Sequence, residues 1–284
     1  MRAYDVGEQA LVAWRGADGG AASGFAAHCA HMGCHLANGA VIGDRLRCGL
    51  HHRTIGADGS FGGSDALRQP VVPLAEYLGG LWAWIGPGAP LHALDDLALG
   101  SFAHCSAGEH HFPLPWQALV ANGFDIEHLA SVHERRLQGT PALERQGDHA
   151  IGLTYRTHPT GRGLADRLTR ALAPQGVAGE ITSLGGSMML VRGALGKRRS
   201  FILMSFVPSA QGETTIRAIV GVERPDNAWG RIQAQVASAL FKAFLHKDLH
   251  VLDRLQWHEP EHETSLGDRY TRRLCDWFRE LPHG

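Results

Sequence analysis

The segment HCAHMGCHLANGAVIGDRLRCGLHHR constrains this chain more than any other stretch of its 284 residues. It holds Cys29-x-His31 and, further on, Cys48-x-x-His51. Thiolates suit soft iron or zinc and imidazole suits both, so the four residues form a Cys2His2 set for Zn or for a [2Fe–2S] cluster. Short apolar stretches separated by glycine surround them, among them ALVAW, SGFAAHC, QPVVPL and LWAWIG. This is the pattern of a compact all-β unit over residues 1 to about 95. IGPGAP at 85–90 then breaks it with two Pro and two Gly, as a linker or domain edge does.

The order of the ligands separates the two metals. Zinc fingers usually pair Cys with Cys and His with His, whereas each short motif here supplies one of each. The two Cys can then hold one iron and the two His the other, as in a Rieske centre, where imidazole ligands raise the potential. With Gly33 and Gly39 between the motifs, the segment resembles the Rieske domain of bacterial Rieske non-haem iron oxygenases. It departs from the family's usual His-Gly-Trp, having His51-His52-Arg53 instead. Cys34 also invites comparison with Rieske proteins of the respiratory quinol complexes, which bridge such a Cys to another beside the second His. Leu50 stands at the position that partner would need. Cys34 and Cys105 are therefore expected to be small buried hydrophobes, and His28, His35 and His52 solvated loop residues.

A second constellation lies in LVANGFDIEHLASVHERR, within a helix expected from about Trp116 to Val132. Two imidazoles and a carboxylate on one face of Fe(II) leave positions open for O2 and substrate. His128 and His133 are five apart, about 140° on an ideal helix, so they can share a metal only across a distorted turn or a helix end. The run Asn122-x-x-Asp125-x-x-His128-x-x-x-x-His133 resembles the iron motif of the same oxygenase family. For a third ligand the helix expected within 231–259 offers Asp248 and Asp253. Taking Phe244 as the centre of a buried apolar stripe with Leu240, Val251 and Leu255 puts Asp248 on that stripe and Asp253 opposite. A buried carboxylate is costly unless paired or metal-bound, which favours Asp248. The resemblance agrees, because the family carries its carboxylate ligand on a long C-terminal helix.

The resemblance implies an α+β chain: an N-terminal all-β Rieske [2Fe–2S] domain (1–95) and a catalytic domain of helix-grip fold (96–284), an antiparallel sheet around that helix. The strand-like runs HAIGLTYRTH, GEITSLG, SMMLVRG, SFILMSFV and TTIRAIVGV fit such a sheet, and a last helix is expected near Leu266 to Leu281. Ile181, Met188, Leu190, Ile202, Met204, Phe206 and Ile219 alternate as core and pocket lining would. By resemblance Cys29, His31, Cys48 and His51 hold the cluster, and His128, His133 and Asp248 hold one mononuclear Fe(II). Asp125 would link the cluster of a neighbouring subunit to that iron. Such a head-to-tail contact closes as a ring, most simply a homotrimer.

Composition removes other classes. With 27 Lys+Arg against 28 Asp+Glu the net charge is -1, which argues against a nucleic-acid partner. No apolar run approaches the roughly 18 residues of a membrane span, and the start shows no leader pattern, so a cytoplasmic protein is expected. Five Cys do not make a disulfide scaffold. There is no dinucleotide glycine fingerprint, and GALGKRR lacks the Ser/Thr of a phosphate loop. Electrons are then expected from a ferredoxin or a flavin-dependent reductase, with NAD(P)H acting only through it. Arg45, Arg47 and Arg53 are candidates for an acidic donor's docking patch. The resemblance implies a monooxygenase or dioxygenase that uses O2 to hydroxylate, demethylate or desaturate a hydrophobic ring-containing molecule, similar to the groups that include steroid hydroxylase and vanillate demethylase. The alternatives are a Rieske-type electron carrier without catalysis and a zinc-binding structural protein.

Overall fold

The computed structural model describes residues 1–99, 102–195 and 198–282; Gly196 and Lys197 of GALGKRR lie outside them. Two compact units emerge, one built on Met1–Leu97 and the other on Ala98–Pro208 with Gly212–Leu281.

The first unit is made of short strands. Arg2–Val6, Gln9–Trp14, Ser23–Ala26 and Val71–Val72 form one antiparallel sheet. Ala40–Ile42, Arg45–Arg47, Thr54–Gly56, Ser60–Phe61 and Ser64–Arg68 form a second, and Leu74–Tyr77 pairs with Gly80–Ala83. Period-two alternation is visible in Arg45-Leu46-Arg47, whose Leu46 is fully buried. Val12, Trp14, Phe25, Leu36, Leu46, Ile55 and Phe61 make the core, and Cys29 and Cys48 are part of it.

Gly39 lets the two ligand-bearing segments touch. A Cβ there would lie 2.2 Å from the Arg47 carbonyl oxygen and 3.0 Å from that of Leu36. Both obstacles are backbone, so neither can swing aside. Gly39→Ala should destabilise this unit by roughly 2 kcal/mol or more, the range of overpacked sites. A thermal melt checks this, and an unchanged midpoint would contradict the close approach.

The second unit is an antiparallel sheet. Its spatial order is Ala103–Phe112, Thr214–Val222, Arg198–Pro208, Met188–Leu195, Val177–Leu184, Ala150–Pro159 and Arg135–Leu137, with Ala142–Arg145 also paired to Ala150–Pro159. The helices are α1 (Trp116–Phe124), α2 (Ile126–Ser131), α3 (Leu164–Leu172), α4 (Ala228–Leu252) and α5 (Leu266–Glu280). Asn227 caps α4 by accepting from the Gly230 N–H, and Ser265 with Asp268 forms a capping box on α5. The helix expected over 116–132 is thus two helices, broken at Asp125. The one expected within 231–259 ends at Leu252.

Two further expectations are corrected. The strand register splits the seven proposed lining residues between faces. Ile181 and Ile202 both pair with Val191, so they share a face with Met204 and Phe206, two residues and four residues further along their strand. Leu203 pairs with Leu190 on one side and Ile219 on the other, and all three point the other way, as does Met188. The expected apolar stripe is exposed rather than buried: Leu240 by 61%, with Phe244 and Val251 on α4 and Leu255 beyond its end. The buried face is Gly230, Ala234, Ser238, Phe241, Leu245, Asp248 and Leu252. Asp248 is therefore buried, but on a neighbouring face of the helix.

Candidate metal centres

In the first unit, two backbone turns present the Cys and His residues. The Cys29–Cys34 turn is closed by bonds from Gly33 N to Cys29 O (2.7 Å) and from Cys29 N to Cys34 O (2.9 Å). The second is closed by bonds from His52 N to Cys48 O (3.1 Å) and from Cys48 N to Arg53 O (2.9 Å). Gly33 takes the left-handed conformation at φ 73°, and His52 takes it at φ 55°. The departure from His-Gly-Trp thus preserves the turn, at a backbone cost of about 1 kcal/mol that glycine would not incur. Gln69, which the sequence reading did not single out, ties the first turn down. It is buried, accepts from Ala30 N (2.8 Å), and donates to Ala26 O (2.8 Å) and His28 O (3.0 Å). Its signal was a lone amide in the apolar run beside Pro70.

The Cys29 and Cys48 thiols are buried neighbours, while His31 and His51 lie nearer solvent with ring centroids 5.0 Å apart. Burial pushes the Cys29 thiol up. At Cys48 burial acts the same way, but the Leu50 N–H, the Cys29 and Cys34 thiols and the His51 N–H outweigh it and hold Cys48 below its ordinary value. Desolvation, then the charges of Arg53 and His51, lower His31, favouring the neutral imidazole that a metal requires. Two sulfurs inside, two imidazoles outside and backbone N–H groups aimed at the sulfurs fit a [2Fe–2S] cluster with mixed ligation. Cys34 and Cys105 are half-buried rather than buried, which corrects the expectation. His28 and His52 are exposed, whereas His35 is half-buried and caps a short 3-10 turn by accepting from Ala37 N.

In the second unit, three ligand atoms converge. His128 Nε2 lies 2.7 Å from Asp248 Oδ1, His133 Nε2 lies 2.8 Å from the same oxygen, and the two Nε2 atoms are 3.1 Å apart. Ligands roughly 2.1 Å from one ion and set at right angles sit about 3.0 Å from one another, so this spacing fits three adjacent positions of a single metal. All three residues are buried, and among the described residues no other His, Cys, Asp and Glu group is so gathered. Burial pushes the Asp248 carboxyl up, but hydrogen bonds from His128 and His133 and their charge hold it below its ordinary value. The end of α2 at Ser131 resolves the five-residue spacing, because His133 lies beyond the helix and is free to turn back. Its ring stacks on Phe244, with centroids 3.4 Å apart and planes 6° apart. Phe244 thereby orients His133, whose buried Nδ1 has no hydrogen-bond partner. The stacking could not be read from the sequence, which marked Phe244 only as apolar.

Asp125 ends α1 and begins α2. Its Oδ1 accepts from Glu127 N (2.9 Å) and His128 N (3.1 Å), an N-cap that holds the helix carrying His128. The Asn122 amide lies 3.5 Å from His128 Nε2. Asp253 is 68% exposed in its side chain, at the C-terminal end of α4, away from the triad's buried face. Arg45, Arg47 and Arg53 are half-buried.

A family model described as Rieske [2Fe-2S] domain matches residues 1–77. The N-terminal unit is such a domain, and the whole chain has the fold of the Rieske non-haem iron oxygenases. Dicamba monooxygenase bound to dicamba superposes with a TM-score of 0.70 at 15% identity, covering 99% of this chain and 92% of that one. NdmA of Pseudomonas putida CBB5 with caffeine gives 0.71 at 17% identity, covering 98% and 83%. In sequence, the aminopyrrolnitrin oxygenase PrnD of Pseudomonas fluorescens is 30% identical over 140 residues, 43% of this chain and 38% of that protein. Cholesterol 7-desaturase nvd of Bombyx mori is 31% identical over 140 residues, 45% and 31% of the two chains. The match thus spans less than two-fifths of the length of these curated relatives. Among the described residues, no helix is long and apolar enough to cross a membrane.

Proposed function

We propose that this chain is the oxygenase component of a Rieske-type oxygenase that acts on a hydrophobic, ring-containing small molecule. The observation that carries the reading is the convergence of His128, His133 and Asp248 in the second unit. An electron carrier would need only the first unit. Residues 1–95 are assigned as the cluster domain and 96–284 as the catalytic domain. Cys29, Cys48, His31 and His51 would hold the [2Fe–2S] cluster; His128, His133 and Asp248 would hold one Fe(II). Together these groups, when bound, supply single electrons and O2 activation.

The chain's own residues prepare that chemistry. Asp248 would supply the one negative ligand; without an ion its Oδ1 accepts from both imidazoles and keeps the three ligand atoms together. Phe244 holds the His133 ring in place. Asp125 anchors His128 through the α2 cap, and its other carboxylate oxygen is assigned to receive His51 of the partner subunit in a homotrimer. Asn122 is assigned a catalytic role beside His128, its amide 3.5 Å from Nε2. Relatives named for aminopyrrolnitrin and cholesterol, and neighbours holding dicamba and caffeine, support a ring substrate. Electrons are assigned to an external ferredoxin or flavin-dependent reductase, and the protein to the cytoplasm.

Metal analysis with EPR on wild type and His128→Ala tests the reading. The expected result is cluster iron and sulfide in both, with one further iron per chain in the wild type alone. Zinc without sulfide would end the proposal. Equal iron in the two proteins would favour the electron carrier.

A further inference from the structure

A metal-binding histidine is usually fixed through its second ring nitrogen, which donates to a carboxylate or a carbonyl. His133 lacks that anchor, because its buried Nδ1 finds no partner among the described residues. The Phe244 stack sets the plane of the ring but lets it slide within that plane. The main chain on either side of His133 must therefore set where its Nε2 comes to rest. Upstream, Val132 N bonds to His128 O at 2.9 Å and ends α2. Downstream stands Glu134 in the left-handed conformation, at φ 53°, which residues other than glycine hold at a cost.

That turn has a built support. Arg135–Leu137 pairs with 157–159, Arg135 opposite Pro159, and proline brings no N–H to this end of the ladder. Thr160 supplies the missing donor: its N–H (2.9 Å) and its hydroxyl (2.8 Å) both donate to the Glu134 carbonyl oxygen. Arg170 of α3 donates in turn to the Pro159 (3.0 Å) and Gly161 (2.8 Å) carbonyls that flank Thr160. Arg170 braces the segment, and Thr160 pins the turn to it. We infer that Thr160 is a positioning residue for His133, holding Glu134 in its left-handed turn so that the His133 Nε2 stays beside Asp248. An unpinned Glu134 would relax towards an ordinary backbone conformation and carry the ring away from its 2.8 Å contact with Asp248 Oδ1. This inference rests on the iron site proposed above.

The test is Fe(II) affinity, measured by anaerobic competition with a chelator in the full chain with its cluster in place. Thr160→Val keeps the side-chain shape and loses the O–H, so affinity should fall roughly fivefold, the worth of one net hydrogen bond. Thr160→Ser keeps the donor and should stay near the wild type. Glycine holds the left-handed turn unaided, so Thr160→Val should cost about twofold or less in a Glu134→Gly background. A merely structural role would lower the melting temperature and leave Fe(II) affinity unmoved. Equal affinity in wild type and Thr160→Val overturns the inference, as does a loss in Thr160→Ser equal to that in Thr160→Val, or an undiminished loss in the Glu134→Gly background. Wild-type protein that binds no Fe(II) beyond its cluster would instead overturn the iron site itself.

Discussion

Asp248→Asn should yield a folded protein that keeps its cluster signal, loses the additional iron and does not turn over. Asp248 Oδ1 is the shared partner of both imidazoles, at 2.7 and 2.8 Å. Asn is nearly isosteric but neutral, so the proposed ligand set would lose its only carboxylate while its packing is spared. Substitution of residues that merely orient a metal ligand costs ~10–100-fold in metal affinity or activity; loss of a direct ligand should exceed that. Asp253→Asn is the control, because that side chain is solvent-exposed and its loss should leave the iron unchanged. The readouts are iron per chain and substrate-dependent oxygen uptake. Full iron in Asp248→Asn would remove it from the ligand set.

Asp125 calls for two variants, because its carboxylate already has a structural task. Asn caps helices as well as Asp does, so Asp125→Asn should keep α2 in place, while Asp125→Ala should cost about 1 kcal/mol of stability. If the second oxygen also carries the contact to His51 of the partner subunit, both variants should slow turnover by ~10–100-fold with both metals bound. In a single turnover started from reduced protein, the cluster should remain reduced. Wild-type turnover in Asp125→Asn, together with reduced stability in Asp125→Ala, would leave Asp125 as a helix cap only.

Much of this was legible from pattern. Alternation exposed the strands, and ligand spacing exposed both constellations. What the sequence obscured came from competition between local signals. The break at Asp125 was signalled by Gly123 and by an Asp placed to cap, but the apolar run on either side read as one helix. On α4, two faces competed for the core. The face with the larger apolar residues, Leu240, Phe244 and Val251, is the exposed one. The buried face begins with Gly230, Ala234 and Ser238, because the helix lies close to its neighbours. A Cβ on Gly230 would sit 2.1 Å from the Pro225 carbonyl oxygen and 2.9 Å from the Ala103 Cβ. Residue size alone carries no information about how near a helix lies to a sheet. Asp248 is buried as expected although the stripe it was placed on is exposed, because it belongs to the adjoining buried face. Gln69 and the Phe244 stack depend on contacts distant in the chain, so no local pattern revealed them.

The close contact at Gly39 has an evolutionary consequence. Main-chain atoms, rather than side chains, set the distance between the two ligand turns, so the residues around the rim are free to drift. His52 and Arg53 illustrate this, having replaced the family's usual Gly-Trp without opening the turn. Met32 and Leu50, both exposed beside the ligands, have the same latitude. Side chains around this rim can therefore be exchanged while the scaffold beneath it stays intact.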